Sequence, residues 1–146
     1  MERQLTDLYD DTILAHNKTP VSYEKRLTAQ HIVEAYNPLC GDKFKLFFDI
    51  ADGQIQQISF HGYGCAVSKA ATSVLVKRLE GLTMGDAWAD VTNYLKKLTT
   101  ETAEMMQLND AELRSFEIVR QFPERLACAT LSWEAMNNFF INVEKK

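Results

Sequence analysis

The stretch Phe44-Lys45-Leu46-Phe47-Phe48-Asp49-Ile50-Ala51-Asp52-Gly53-Gln54-Ile55-Gln56-Gln57-Ile58-Ser59-Phe60 decides the fold. Phe44, Leu46, Phe48 and Ile50 alternate with other residues, the period of a strand with one buried face. Asp52-Gly53 follows, and Ile58 and Phe60 then alternate again. Asp-Gly suits a two-residue turn in which both central residues take positive φ. The stretch therefore predicts an antiparallel hairpin with Leu46, Phe48 and Ile58 facing the core.

Working outward, His31 to Tyr36 has a β-prone centre at Ile32 and Val33 and reads as a further strand. Lys18 to Thr28 is mixed and polar, a connecting loop. Leu5, Leu8, Thr12 and Ile13 recur at helical spacing and predict a first helix ending near Asn17, before Pro20. On the other side of the hairpin, Gly62 and Gly64 mark a bulge or a tight strand exit. From Ala66 the period becomes helical through Val67, Ala70, Ala71, Val74, Leu75 and Leu79, and Gly81 fits the stop. Thr83, with Asp86 three residues on, caps a next helix whose stripe is Trp88, Val91, Leu95 and Leu98. Asp110 to Phe116 is a short helix. Pro123 opens a long final one marked by Leu126, Ala129, Trp133, Met136 and Phe140. Strands come early and helices late. The expected class is α+β, a small antiparallel three-stranded sheet with helices on one face, in a single domain over residues 1–146.

With 146 residues, 46% hydrophobic and 25% charged, the chain can bury one core without disulfides. The net charge of −4 and the absence of any Lys/Arg run argue against nucleic acid, which needs a basic footprint. Met1 to Tyr9 is too polar for a signal peptide. No apolar run approaches the ~20 residues that cross a bilayer. The chain reads as cytoplasmic with no membrane partner, a monomer or weak dimer. Three cysteines cannot all pair internally, so free thiols or metal ligands are the better reading.

Each cysteine has a distinct setting. Cys40 lies in Asn37-Pro38-Leu39-Cys40-Gly41-Asp42, a turn where Gly41 lets the chain reverse and aim the Cys40 thiol and Asp42 carboxylate at one spot. Cys65 lies where a strand yields to a helix, and unpaired amides at a helix start favour the thiolate. Cys128 falls early in the final helix. Three thiolates and one carboxylate satisfy a tetrahedral Zn²⁺ ion, but the spacing lacks paired CxxC knuckles. Read alone, it leaves open three unrelated buried thiols and a plain turn aspartate. His61, four residues before Cys65, is a candidate ligand or a strand-end surface residue. Arg125, one turn before Cys128, stands near the site or in solvent.

Asn37-Pro38-Leu39-Cys40-Gly41-Asp42 resembles the NPxCGD motif of the SufU/IscU/NifU N-terminal iron–sulfur cluster assembly family. Gly62-Tyr63-Gly64-Cys65-Ala66-Val67-Ser68 is similar to its GxGCxxS motif. Arg125-Leu126-Ala127-Cys128-Ala129-Thr130-Leu131-Ser132-Trp133 resembles its third-cysteine motif in the SufU form. Leu8-Tyr9 and His16-Asn17-Lys18-Thr19-Pro20 match its N-terminal helix and HxxxP end. The resemblance runs from about Leu8 to Phe140. Scaffolds of the IscU type usually carry histidine directly before the third cysteine, where this chain has Ala127. The stretch before Cys128 is longer by about Thr99 to Val119, and the Leu-Pro-Pro-Val-Lys chaperone motif is missing. These departures point to the SufU type.

The resemblance implies the IscU-type fold and a metal site of Cys40, Asp42, Cys65 and Cys128 holding one zinc per chain. It also implies sulfur transfer from a SufS-like cysteine desulfurase, whose own residue displaces Cys40 so that Cys40 attacks the persulfide. A downstream cluster assembly scaffold is the implied recipient. The alternative is a scaffold carrying a transient iron–sulfur cluster, and a third reading is a purely structural zinc site. Arg125 is a candidate for offsetting the negative charge of the ligands.

Overall fold

The computed structural model describes residues 10–99 and 111–144. Leu5, Leu8 and Asp110, among the residues weighed above, lie outside this set. Helix α1 (Asp11–Lys18) starts at Asp10, whose carboxylate accepts the Ile13 N–H at 3.0 Å. Strands β1 (His31–Asn37), β2 (Asp42–Ala51) and β3 (Gln54–Tyr63) form one antiparallel sheet in that order. Helices α2 (Ala66–Leu79), α3 (Met84–Thr99), α4 (Ala111–Arg114), a 3₁₀ turn (Glu117–Gln121) and α5 (Pro123–Glu144) complete it. The fold is α+β, as expected, and Pro123 is the first residue of α5.

The hairpin turn takes the form its sequence demands: Asp52 has φ +54 and Gly53 φ +73. The turn is pinned by the α2–α3 connection, where Ile55 N–H donates to Leu82 C=O and Met84 N–H to Gly53 C=O, both at 2.9 Å. Phe44, Leu46 and Phe48 on β2, and Ile55, Ile58 and Phe60 on β3, are buried in one cluster with the helices. Simple alternation fails in two places. Ile55 and Ile58 are three apart yet both buried, because the ladder slips between Phe47 and Asp49 and Gln57 sits at φ +51. Phe47, expected to face outward, is also buried with its partner Ser59. Near the slip, the 19–30 connection is tied to the sheet. There Arg26 bonds the Asp49 carboxylate at 2.9 Å, and Gln30 N–H donates to Asp49 at 2.8 Å.

Helices α2 and α5 lie together against the sheet. Trp133 on α5 donates its indole N–H to the Ala71 carbonyl of α2 at 3.0 Å, and Thr72 and Ser132 share a hydrogen bond at 2.7 Å. The Trp133 indole and the Thr72 and Ser132 hydroxyls thus find partners inside, as such burial requires. On α3 the buried stripe is Ala87, Val91, Tyr94 and Leu98, with Trp88 and Leu95 half-buried. The stripe is rotated from the expected one because Tyr94 stacks flat on Trp133, centroids 3.7 Å apart, and donates its hydroxyl to the Ala129 carbonyl. Thr83 caps α3 through the Asp86 N–H at 3.1 Å.

Candidate metal centre

Three elements meet at one end of the sheet. The β1–β2 turn is built by Asn37, whose side-chain oxygen accepts Leu39 N–H at 3.0 Å and whose carbonyl accepts Gly41 N–H at 2.8 Å. Gly41 adopts φ +77 at the reversal. The turn leaves Cys40 exposed and sends Asp42 inward, only 3% exposed. The Cys40 thiol donates to one oxygen of the Asp42 carboxylate at 3.4 Å, and the other oxygen accepts the Cys65 backbone N–H at 3.1 Å. One buried carboxylate therefore ties the hairpin turn to the start of α2.

Cys65 is the N-cap of α2. Its sulfur accepts the Ser68 N–H at 3.5 Å, and the Ser68 hydroxyl donates to the Cys65 carbonyl at 3.0 Å. Cys128, buried early in α5, faces it. Interaction with the Cys128 side chain, together with the Ser68 contacts, pulls the Cys65 thiol down to about 5 against burial and the Asp42 charge. Cys128 moves the opposite way, raised by keeping its proton toward Cys65, by burial and by the neighbouring charges of Cys65, Asp42 and Cys40.

The ligand atoms of Cys40, Asp42 and Cys128 all lie within 4.8 Å of one another. Cys65 joins them through its contacts with Cys128 and Asp42 rather than within that same triangle, its sulfur being engaged by the helix start. Two glycines permit the closeness. A Cβ on Gly64 would stand 2.4 Å from the Ser68 hydroxyl, 2.9 Å from Asp42 Oδ1 and 2.9 Å from the Phe44 ring. A Cβ on Gly62, at φ +151, would strike the Lys43 carbonyl at 2.1 Å. Arg125 is half-buried one helical turn before Cys128, and Ala127 is exposed. His61 lies within β3, half-buried against the Tyr23 ring at 4.7 Å, and is not among the grouped ligand atoms.

Sequence reasoning gave Ser68 no role, although it sits one turn into the helix that Cys65 caps. It also left His16 without a partner. His16 Nδ1 lies 2.7 Å from the Ser73 hydroxyl of α2, and Nε2 lies 2.6 Å from the Glu112 carboxylate of α4, which Lys77 also bonds at 2.9 Å. A histidine ending one helix while carboxylates open others is too common a pattern to have signalled this pairing.

The NifU-like N-terminal domain family matches residues 8–138. The zinc-dependent sulfurtransferase SufU of Bacillus subtilis is 27% identical over 90% of this chain and 88% of its own. The iron–sulfur cluster assembly scaffold protein IscU of Streptococcus pyogenes is 30% identical over 91% and 82%. Among solved structures, a scaffold protein for the SUF system from Fervidobacterium islandicum superposes with a TM-score of 0.79 at 26% identity, covering 90% of this chain and 96% of its own. The NifU-like N-terminal protein of Brucella abortus has a TM-score of 0.81 at 20% identity over 97% and 98%, a likeness of fold. Among the described residues, no helix is long and apolar enough to cross a membrane. The three motifs around Cys40, Cys65 and Cys128, the sheet with its helices and the match over residues 8–138 agree: the chain belongs to the NifU-like N-terminal domain family of iron–sulfur cluster assembly proteins.

Proposed function

We propose that this protein accepts sulfur from a SufS-like cysteine desulfurase and passes it to a downstream cluster scaffold, with Cys40 as the sulfur acceptor. A zinc ion held by Cys40, Asp42, Cys65 and Cys128 completes the reading. The donor set fits: three sulfurs and one carboxylate match the preference of Zn²⁺ for a closed tetrahedral site. Such an ion needs ligand atoms within roughly 4 Å of one another, a short adjustment from the 4.8 Å envelope of Cys40, Asp42 and Cys128, which the Cys65 sulfur would join by leaving the Ser68 N–H. Bound there, zinc would keep the thiols deprotonated and, being redox-silent, would not oxidise them.

The observation that carries the role of Cys40 is the gradient of exposure: Cys40 is exposed on a turn, Cys65 half-buried and Cys128 buried. The first is the one most open to another protein's sulfur. The Cys40 thiolate attacks the outer sulfur of the donor's persulfide. A new Cys40 S–S bond forms, the donor's S–S bond breaks and the donor cysteine leaves as thiolate, the ordinary course of thiol exchange. The Cys40 thiol donates to Asp42 when no metal is bound, and that proton would be released as both groups became zinc ligands, leaving Cys40 a thiolate before it attacks. The test is metal analysis of freshly purified protein together with stimulation of the cysteine desulfurase from the same organism. About one zinc per chain and stimulation lost in Cys40→Ala are expected, and stimulation surviving in that variant refutes the role of Cys40.

A second reading, a scaffold for a labile iron–sulfur cluster, is favoured by the 30% identity to the streptococcal IscU, since the same thiolates suit iron and sulfide. Ala127, exposed where scaffolds of that type usually carry histidine, weighs against it. A stable cluster, transferable to an acceptor and outcompeting zinc on anaerobic reconstitution, would decide for the scaffold.

A further inference from the structure

The sheet face turned away from the helices carries two cross-strand rows next to the cysteines: Tyr36, Lys43 and Tyr63 in the first, Glu34, Lys45 and His61 in the second. Lys25 joins Lys43, Lys45, His61 and Tyr63 in lining a cavity of about 340 Å³. Lys69 adds a fourth ammonium at the β3 edge, 4.8 Å above the Tyr23 ring that stacks on His61. Against these cations the rows hold one carboxylate, Glu34, 3.9 Å from Lys43. The chain as a whole is acidic, 20 Asp and Glu against 16 Lys and Arg, so this concentration of positive charge runs against the bulk.

The same region exposes apolar surface. Leu39, beside Cys40, is 96% exposed, with Tyr63 at 63% and Tyr36 at 53%. Aromatic and aliphatic side chains left in water around a reactive thiol, with cations behind them, have the composition of a protein contact surface. Resting on the sulfur-transfer reading above, we propose that this face, built on Tyr36, Leu39, Lys43, Lys45 and Tyr63, docks an acidic surface of the sulfur-donating desulfurase.

The charges explain why such a face would be needed. Three thiolates and a carboxylate exceed the charge of a divalent ion, and an incoming persulfide is itself anionic. Left alone, the site repels its substrate. Lysines on the adjoining rows turn the local field attractive and raise the encounter rate in a salt-dependent way. Leu39 and Tyr63 then supply the desolvated contacts that slow dissociation. Nucleic acid fits less well, because the rows contain no arginine and the rest of the surface is acidic.

The test measures binding of the same desulfurase, and its half-saturating stimulation, at 50 and 300 mM salt, with folding checked by circular dichroism. Lys43→Glu/Lys45→Glu is expected to raise the half-saturating concentration at least tenfold at low salt and to flatten the salt dependence, leaving maximal stimulation intact. Because Lys43 adjoins Asp42, Lys25→Glu/Lys45→Glu serves as a second variant, expected to shift the same way. Leu39→Ala/Tyr63→Ala should weaken binding about fivefold with the salt slope unchanged. If both charge reversals stay within twofold of wild type while Cys40→Ala abolishes stimulation, the docking surface is wrong and the sulfur-transfer reading stands. If wild type neither binds nor stimulates, both fall. If the reversals weaken binding of polyphosphate or a single-stranded RNA but not of the desulfurase, the proposed occupant is wrong.

Discussion

Replacing Gly64 by alanine probes the packing around Asp42 and Ser68 in the candidate metal centre. The new methyl would stand 2.4 Å from the Ser68 hydroxyl, 2.9 Å from Asp42 Oδ1 and 2.9 Å from the Phe44 ring. None of these neighbours can yield freely. Ser68 and Phe44 are buried, and Asp42 is held by the Cys65 N–H at 3.1 Å. Overpacking of this kind costs about 1–3 kcal/mol. Displacing Asp42 would also weaken a charge-assisted hydrogen bond worth about 1.5–3 kcal/mol. Relief of one strain lessens the other, so about 2–4 kcal/mol in total is expected. For a chain of this size that lowers the melting temperature by roughly 5–15 °C. A displaced carboxylate should also weaken zinc binding by about 10–100-fold, as changes in the support of a ligand do. Gly85→Ala is the control. A Cβ there meets nothing within 4 Å, and the residue lies in α3, so the change should be neutral or stabilise by up to about 1 kcal/mol. Thermal unfolding by circular dichroism and a competitive zinc titration read both effects. A Gly64→Ala protein that melts within about 1 °C of wild type and holds zinc equally well refutes the packing argument.

Glu112 tests the clasp between α1, α2 and α4. Burial raises its carboxyl pKa, but the bonds from His16 and Lys77 outweigh burial and leave it below its ordinary 4.5. Its contribution is therefore present above 4.5 and lost as pH falls through the lowered value. Glu112→Gln should cost about 1–2 kcal/mol near neutral pH, a difference that shrinks in urea titrations below pH 4.5; persistence at pH 3 contradicts the ion pairing. Trp133→Phe removes the indole N–H from the Ala71 carbonyl and part of the stack on Tyr94, with an expected loss of about 1–3 kcal/mol in chemical denaturation. Stripping metal with a chelator should lower the melting temperature, by an amount equivalent to about 4 kcal/mol if zinc stands at a thousand times its dissociation constant. Readdition of zinc should restore it, and a metal-insensitive melt would deny the site any part in stability.

The parts of the fold that were legible in sequence are those set by local geometry. Asp52-Gly53 announced its turn because both residues must take positive φ, and Pro123 announced the start of α5 because it needs no N–H there. The slip at Phe47 and Asp49 was hidden, since a bulge depends on the twist of the neighbouring strand and leaves no residue-type signature at Gln57. The rotation of the α3 stripe was hidden for the same reason: whether Tyr94 or Trp88 turns inward depends on Trp133, far along the chain. The metal centre divides similarly. Cys40 and Asp42 were readable as neighbours across Gly41. Their meeting with Cys65 and Cys128 was not deducible from spacing and came from the family motifs. Gly62 and Gly64 were visible as a strand exit, while the reason for their smallness, close approach to Lys43, Asp42 and Ser68, appears only in three dimensions.

Cys40 and Asp42 lie two residues apart on the same hairpin, whereas Cys65 and Cys128 belong to separate helices. A metal gripped by all four is a fastener closing large chain loops, and the entropy of those loops makes it costly to open. In such a four-ligand site Cys40 would be the one grip redundant for that purpose. Let go, it leaves Asp42 still joining β2 to α2 and α5 through the other two cysteines. If sulfur is carried by Cys40 as proposed, it could leave and return while the buckle stays shut, and the fold would not need to loosen each time cargo is handed over.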